Sequence, residues 1–547
     1  MANAVVKTTE DISIQNVESN RILAAIDLGT NSVHMVIARI EPSLPSFSII
    51  GKEKETVRLG DRDRATGNLK DEIMERTITA LSRFVEIART LDAEAVITVA
   101  TSAVREAPNG KAFLGRIKEE LNLDIDLISG EEEARRIYLG VLSGMEFNNE
   151  AHIIIDIGGG STELILGDSH EERCLTSSKV GAVRLTSELI TTDPISDNEF
   201  NYLQAYARGM LERAVEEVLG NINFGEQARL VGTSGTIETL AIIHARETSD
   251  SNPSTLNGYN FTLKDLREWV SRLRKMTNEQ RAEIPGMPEK RSEVILAGAV
   301  ILQEAMTLLG VESITTCERA LREGVIVDWM LAHDLIDNRL RFQSTIRQRS
   351  VLKIAKKYKV YLGYSERIAS LAVSLFDQTK GNLHNWGNQE RFLLWAAAIL
   401  HNCGHYISHS SHHKHSYYLI RNSGLLGYNE TEIEIIANLA RYHRKSQPKK
   451  KHENFQNLAT KEQRLMVEEL SSLLRLATSL DRRQIGAISR IECDYRQNNK
   501  ELYLKLFPAS KDDDCDMELW SLSYSKEIVE EQFGIKLIAS LDRSQYL

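Results

Sequence analysis

The sequence predicts an α/β protein in which one strand–turn–strand unit occurs twice, followed by an all-helical region and a small C-terminal α/β segment. The first observation is the stretch from His152 to Leu166: three consecutive Ile, then Asp156-Ile-Gly-Gly-Gly-Ser-Thr-Glu163 and an apolar return. A run of β-branched residues suits a buried strand, and glycines let successive backbone N–H groups converge in a tight turn. The second observation is that Ala25 to Ile37 lies on this stretch without a gap at a shift of 129 residues, with Asp27 on Asp156, Gly29 on Gly158 and Ser32 on Ser161. The third is the change of pattern after Asn338, where apolar residues recur at helical spacing with almost no strand-like alternation as far as Asp481.

In chain order, residues 48–59 continue the first hairpin as strand, and 71–90 carry apolar residues at helical spacing. A strand at 95–100 runs into Ala100-Thr-Ser-Ala-Val-Arg105 and a helix start, and a short strand at 125–128 leads to Ser129-Gly130-Glu-Glu-Glu133-Ala, a glycine turn opening a helix. After the second hairpin come an amphipathic helix at 205–219, a strand at 229–233 feeding Gly232-Thr-Ser-Gly-Thr236 and another helix, and a polar loop at 249–258. Residues 278–291 join a helix at 294–309, and a helix at 318–333 closes the duplicated part. The helical region reads as 346–358, 365–378, 390–401, 430–443 and 461–480. The last segment returns to alternation at 501–507 and 518–524, predicting strands, then a helix at 526–533.

A chain of 547 residues exceeds what one core supports. The expected division is a flexible tail at 1–20, two subdomains at 21–137 and 138–338, a helical domain at 339–488 and a small α/β domain at 489–547. A net charge of −10 argues against a protein that coats nucleic acid. Five scattered cysteines without metal-like pairing predict free thiols in a reducing compartment. Apolar runs such as Val294 to Leu302 are far shorter than a membrane span, and the first twenty residues lack an apolar signal core, so a cytoplasmic protein without membrane partners is expected.

The residue types point to phosphate chemistry. A glycine turn with converging N–H groups cradles a phosphate, Ser161 and Thr162 add hydroxyls, and an aspartate at the strand end can hold Mg²⁺ directly or through water. Arg105 reads either as the partner of a neighbouring acid or as a planar fork over phosphate oxygens. Glu131, Glu132 and Glu133 read, on composition alone, as first-turn acids that complement a helix dipole.

Taken together and in order, Asp27-Leu-Gly-Thr-Asn-Ser, Ala100-Thr-Ser-Ala-Val-Arg, Ser129-Gly-Glu-Glu-Glu-Ala, Asp156-Ile-Gly-Gly-Gly-Ser-Thr-Glu, Gly181-Ala-Val-Arg-Leu-Thr, Gly232-Thr-Ser-Gly-Thr, Pro288-Glu-Lys-Arg-Ser-Glu and Ala320-Leu-Arg-Glu-Gly resemble the exopolyphosphatase and guanosine pentaphosphate phosphatase (Ppx/GppA) family, across roughly residues 20 to 335. The resemblance implies a duplicated actin-like (ribonuclease H-like) ATPase fold gripping a phosphoanhydride from both sides. It implies Glu133 as the base, with Asp156 also catalytic, and Asp27, Asp156 and Glu163 around Mg²⁺. Asn31, Ser32, Arg105, Gly159, Gly160, Ser161 and Thr162 would hold the terminal phosphates. The expected activity is hydrolysis of the terminal phosphoanhydride of linear polyphosphate; guanosine pentaphosphate needs the same parts. An actin-like ATP-binding regulator would keep the turns without turnover, which Glu133 speaks against. Association into a homodimer is the expected assembly.

Nine of the fourteen histidines lie between Leu383 and His452. The helix ending in Ala398-Ile-Leu-His401-Asn402, with His412 to His415, His443 and Asp481, resembles the HD-type phosphohydrolase domain of longer family members. Its metal-binding aspartate is replaced by Asn402 and its first histidine falls near Tyr364, so the fold is expected without the metal chemistry. The run from Arg441 to His452, with Lys449, Lys450 and Lys451, is either a solvated loop or a track for a long polyanion.

Overall fold

Both hairpins form, and each founds a sheet. The computed structural model describes residues 21–544 apart from 43–45, 64, 149, 250–252, 254, 334, 337–345 and 426–427, so the expected tail at 1–20 and the boundary at 338 lie outside the described residues. In the first half, β1 (Arg21–Leu28), β2 (Ser32–Glu41) and β3 (Ser46–Thr56) form an antiparallel meander, and β4 (Ala95–Ala100) and β5 (Ile125–Leu127) continue parallel to β1, in the order β3-β2-β1-β4-β5. Helices α1 (Asp71–Thr90), α2 (Ser102–Arg105) and α3 (Gly110–Leu121) accompany it, and α4 (Gly130–Leu142) follows β5.

The second half repeats the plan. β6 (His152–Ile157), β7 (Thr162–Gly167) and β8 (Glu172–Ser178) form the meander, β9 (Arg229–Thr233) pairs parallel with β6, and β10 (Asn260–Thr262) and β11 (Ser313–Thr316) complete the order β10-β11-β9-β6-β7-β8. All six residues of β6 are buried, as expected of a central strand covered on both faces. Its helices are α5 (Ala182–Leu189), α6 (Asp197–Gly220), α7 (Ser234–Ser249), α8 (Leu263–Leu273), α9 (Asn278–Ala282), α10 (Ile295–Leu309) and α11 (Leu321–Ala332). The α6 helix starts earlier than its apolar stripe because Ser196 and Glu199 close a capping box.

The halves exchange their last helices: α4 packs on β7 and β8, α11 packs on β1 and β2, and the two helices pack on each other. They meet at glycines. A Cβ on Gly140 would stand 1.9 Å from Ala320 O and one on Gly324 1.7 Å from Arg136 O, so only glycine admits this approach. The expected subdomain boundary at 137/138 therefore falls inside one continuous helix, α4, whose buried Ile137, Tyr138, Leu139, Val141 and Leu142 carry it across.

The C-terminal part is helical over Ile346–Lys357, Leu362–Thr379, Asn388–Leu400, His412–Arg421, Glu430–Tyr442 and Lys461–Ser479. A three-stranded sheet of β12 (Ile488–Arg496), β13 (Glu501–Pro508) and β14 (Lys536–Leu541) shares the same hydrophobic core, so the segment from 489 on is an extension of the helical domain. The expectation of a strand at 518–524 is corrected: Asp516–Phe533 is one helix. Its buried positions are Glu518, Leu522 and Val529, a helical spacing that begins with a charged residue and so does not read as an apolar stripe. Glu518 is buried because Arg483 pairs with it at 2.8 Å. The helical domain docks on the first half, where Lys353 Nζ donates to Phe47 O at 2.5 Å and Arg347 pairs with Glu146 at 3.0 Å. All five cysteines are free, and no helix among the described residues is long and apolar enough to cross a membrane.

Candidate active site

The two hairpin turns face each other across a cleft of about 280 Å³, lined by Asp27, Asn31, Ser32, Glu133, Asp156 and the Gly158–Ser161 turn among others. The turns share one geometry, Gly29 N donating to Ser32 O at 3.2 Å and Gly158 N to Ser161 O at 2.9 Å.

Each turn has its carbonyls tied from behind. In the second, Gly158 O accepts from Ala182 N at 3.0 Å, Gly159 O from Val183 N and Arg184 N at 3.0 Å, and Gly160 O from Arg184 Nε at 2.9 Å. In a trans peptide the following N–H points opposite to the carbonyl, so the N–H groups of Gly159, Gly160 and Ser161 are turned towards the cleft. In the first turn, Thr30 O accepts from Gly60 N at 2.8 Å and Asn31 O from Arg58 N at 2.9 Å, which turns the N–H groups of Asn31 and Ser32 the same way. The halves touch at this point: a Cβ on Gly160 would lie 2.6 Å from Ser102 Oγ and 2.7 Å from Thr30 Oγ1. The α5 segment from Ala182 to Arg184, with Thr30 and Ser102, is a supporting layer that the residue-by-residue reading missed, although its motif stood in the sequence.

The expected site residues fall into two groups. Asp27, Asn31, Ser32, Glu133, Asp156, Gly159, Gly160 and Ser161 line the cleft, whereas Thr162 and Glu163 are buried beside it and Arg105 reaches it only through Glu133. Arg105 Nη1 donates to Ile128 O at 2.7 Å and to Glu133 Oε2 at 3.3 Å, so in this state the arginine is the partner of the acid. The expectation that the Thr162 hydroxyl faces phosphate is corrected: it donates to Val180 O at 2.6 Å and is fully buried. Glu163 accepts from Ser177 Oγ at 2.8 Å. Of the three acids opening α4, Glu132 is taken up by Arg135 and Arg136, Glu131 is exposed, and only Glu133 turns into the cleft.

Burial raises the pKa of every carboxylate in this cluster. Burial, reinforced by Glu163, pushes the Asp156 pKa up to about 8, and burial pushes Asp27 up to about 6. Burial lifts Glu163 to about 7 against the Ser177 hydroxyl, and burial with the Glu163 charge holds Glu133 well above the carboxylate range, opposed by Arg105. Asp27 Oδ1 and Ser32 Oγ are buried without a hydrogen-bond partner among the described residues. Two facing aspartates with an orphaned oxygen fit a hard cation such as Mg²⁺, which takes one or two protein carboxylates and completes its shell with water and phosphate oxygens. Among the described residues no three His, Cys, Asp or Glu converge on one point, so the expected set of Asp27, Asp156 and Glu163 around a single cation is not found, and Glu163 is instead bonded to Ser177.

The cleft is also lined by Lys54, Arg291 and Arg322 and by Glu238, whose pKa burial raises against the charges of the two arginines. Arg291 lies on the backbone of Gly235, where a Cβ would meet its Nη2 at 1.6 Å. Ser234 beside it holds φ at 75° while its hydroxyl donates to Ile157 O at 2.8 Å, a left-handed residue of the kind that clusters at functional sites. His34 occupies the place in the first hairpin that Glu163 occupies in the second, opposite the aspartate. Burial and then Arg322, 3.3 Å from its Nδ1, press its pKa down to about 2, so it stays neutral.

In the helical domain Tyr364, His401, Asn402 and His443 line one recess, as the pattern predicts. Asp481 is instead committed to Arg367 Nε and Gly486 N, each at 2.8 Å.

The description "Ppx/GppA phosphatase family" belongs to the family model that matches residues 36–333, and its domain III matches residues 346–526. The chain is 29% identical over 468 residues to a guanosine-5'-triphosphate,3'-diphosphate pyrophosphatase of Photobacterium profundum, covering 85% of this chain and 87% of that one. It is 31% identical over 424 residues to a protein of the same name from Vibrio atlanticus, covering 77% and 80%. Among solved structures, an exopolyphosphatase from Cytophaga hutchinsonii is similar with a TM-score of 0.51 and 27% identity, covering 58% of this chain and 100% of that one.

Proposed function

Because the chain belongs to the Ppx/GppA phosphatase family, hydrolases of phosphoanhydride bonds, we propose that it is a Mg²⁺-dependent exopolyphosphatase releasing orthophosphate from the end of linear polyphosphate. The observation that carries this reading is the lining of the cleft: two N–H turns, the cations Lys54, Arg291 and Arg322, and among its described lining residues no Phe, Tyr or Trp to stack on a base. Such a lining offers N–H donors and cations to more than one phosphate.

The terminal phosphoryl group sits between the turns, whose N–H groups take up charge as the bridging bond breaks. Glu133 accepts the proton of the attacking water, a role suited to a carboxylate whose basicity burial has raised. Arg105 keeps Glu133 in place and, as the phosphate enters, offers its remaining N–H groups to the oxygens. Asp27 and Asp156 would hold Mg²⁺, which neutralises phosphate charge. Lys54, Arg291 and Arg322 take the phosphates behind the bond that breaks.

A second reading, removal of the 5′-terminal phosphate of guanosine pentaphosphate, is favoured by the names of the relatives that match most of the chain. Phosphate release from long polyphosphate, guanosine pentaphosphate and ATP, measured side by side with Mg²⁺ and with excess EDTA, separates the two. The expected result is Mg²⁺-dependent turnover fastest on polyphosphate. Faster turnover on guanosine pentaphosphate would give the second reading the place of the first.

Lys449, Lys450 and Lys451 are exposed. Replacing all three with Ala is expected to raise KM for long polyphosphate several-fold at low salt, less at high salt, and to spare very short chains. Equal losses on long and short chains, or none, would leave these lysines as a solvated loop.

A further inference from the structure

The helical domain holds a second recess that the phosphatase chemistry does not use. Two adjoining cavities of about 620 and 640 Å³ share Tyr364, Asn402, His405, His409 and Gln484 on their walls. Their linings differ in kind. The first is cationic: Arg444, Lys445, Arg475 and Arg482 line it, and no Asp or Glu is found among its described lining residues. Arg483 also lines it, but Asp513 and Glu518 neutralise that side chain, each at 2.8 Å. Arg475 is buried and spends its N–H groups on the carbonyls of Lys445 at 2.8 Å and Tyr442 at 2.7 Å, so its charge has no carboxylate partner there. Concentrated uncompensated positive charge in a concave site calls for an anion.

A buried imidazole leaves a second group in the recess unsatisfied. His401 is 1% exposed and lines the recess; its Nδ1 faces Ala398 O at 2.6 Å and so carries the proton, and its Nε2 has no hydrogen-bond partner among the described residues. Nε2 is thus an acceptor that the described residues leave without a donor, and a hydroxyl or N–H of a bound molecule would satisfy it. Beyond it the imidazoles lie against one another and the backbone: His412 Nδ1 is 3.2 Å from His409 O and 3.4 Å from Arg444 Nη1, His412 Nε2 is 3.4 Å from His443 Nε2, and His443 Nδ1 faces Ala440 O at 2.7 Å.

The second lobe is aromatic, with Tyr358, Tyr361, Tyr364 and Tyr406 on its wall. Tyr361 is 67% exposed and Tyr406 56% exposed, large rings left open to solvent beside a cavity. Such rings offer a stacking surface to a planar base.

We propose that this two-lobed recess binds a nucleotide, with its phosphates on Arg444, Lys445 and Arg482 and its base against Tyr361 and Tyr406. With Asn402 on its wall and Asp481 tied to Arg367, the site lacks the carboxylates that would hold a metal for hydrolysis, so it binds the nucleotide without cleaving it. It is a sensor site, separate from the cleft between the two sheets.

Titration calorimetry on the full chain carrying Glu133→Gln, which suppresses turnover, tests this with GDP and inorganic tripolyphosphate as probes. Adding Arg444→Ala and Lys445→Ala is expected to weaken GDP binding at one site at least tenfold, so that one fewer GDP is bound per chain. Adding Tyr361→Ala and Tyr406→Ala instead is expected to weaken GDP and leave tripolyphosphate unchanged. GDP stoichiometry and affinity untouched by the Arg444/Lys445 pair would overturn the proposal. So would tripolyphosphate binding that responds to that pair while GDP does not, since the recess would then hold an oligophosphate alone. If the arginine–lysine variant fails to fold, the exposed tyrosines decide, and unchanged GDP affinity in that variant sinks the nucleotide assignment.

Discussion

Glu133→Gln is expected to lower kcat on polyphosphate by ~10²–10⁴-fold, the usual loss on removing a general base, with a much smaller change in KM. Water at neutral pH is a weak nucleophile, and Glu133 is the α4 acid that turns into the cleft while its pKa is raised. The glutamine keeps the shape and one acceptor, and the turns, the aspartates and the cations that bind substrate are untouched, so affinity survives. Glu131→Gln, on the exposed side of the same helical turn, is expected to keep wild-type turnover. Glu132→Gln is expected to cost some stability through its contacts with Arg135 and Arg136 but not the chemistry. Steady-state kinetics on the three variants check this. Near-normal turnover of Glu133→Gln on both polyphosphate and guanosine pentaphosphate would remove the hydrolytic mechanism and favour an ATP-binding regulator.

What was legible in the sequence was whatever is encoded locally. The hairpins announced themselves because buried strands and phosphate turns both restrict residue choice, and the shift of 129 residues aligned Asp27 with Asp156. The same alignment lays His34 on Glu163, and the paired registers add that each stands opposite the aspartate of its own hairpin. Lys54, Arg291 and Arg322 come from β3, the segment before α10 and the start of α11; Arg291 alone reads from the sequence as a phosphate candidate, and only the fold brings the three to the lining of one cleft. Thr162 misled because neighbouring hydroxyls look alike in a sequence, whereas Ser161 ends the turn and Thr162 opens β7 with its hydroxyl on Val180 O. The helix at Asp516–Phe533 read as a strand because its buried face starts with Glu518, which becomes a core residue only when Arg483 is beside it. The recess in the helical domain was anticipated at His401, Asn402 and Tyr364, but its cationic and aromatic lobes depend on elements that meet only in the fold.

Gly181→Ala is expected to lower kcat/KM by at least ~10²-fold, through both a lower kcat and a higher KM, because it disturbs the turn that binds the phosphoryl group in ground and transition states alike. The backbone dihedrals of Gly181, φ −145° and ψ 157°, are open to any residue, so the effect is one of contact. An added Cβ would lie 2.5 Å from Gly159 O and 2.6 Å from Gly160 C, and both are main-chain atoms that cannot swing aside. Either α5 retreats, releasing the bonds from Ala182 N, Val183 N and Arg184 N to the glycine carbonyls, or the turn itself rotates. In both cases the N–H groups lose their aim. Arg184→Ala removes the Nε donor to Gly160 O and the 2.8 Å pair with Glu106 but leaves the other ties, so a smaller loss of the same kind is expected. Gly209→Ala is the control: its Cβ meets nothing within 4 Å on α6, so turnover should be unchanged and helix stability should rise by roughly 0.5–1 kcal/mol. Kinetics together with thermal melts of the three variants provide the check. A Gly181→Ala protein that melts like the parent and keeps its kcat/KM would show that the α5 clamp does not orient the phosphate turn.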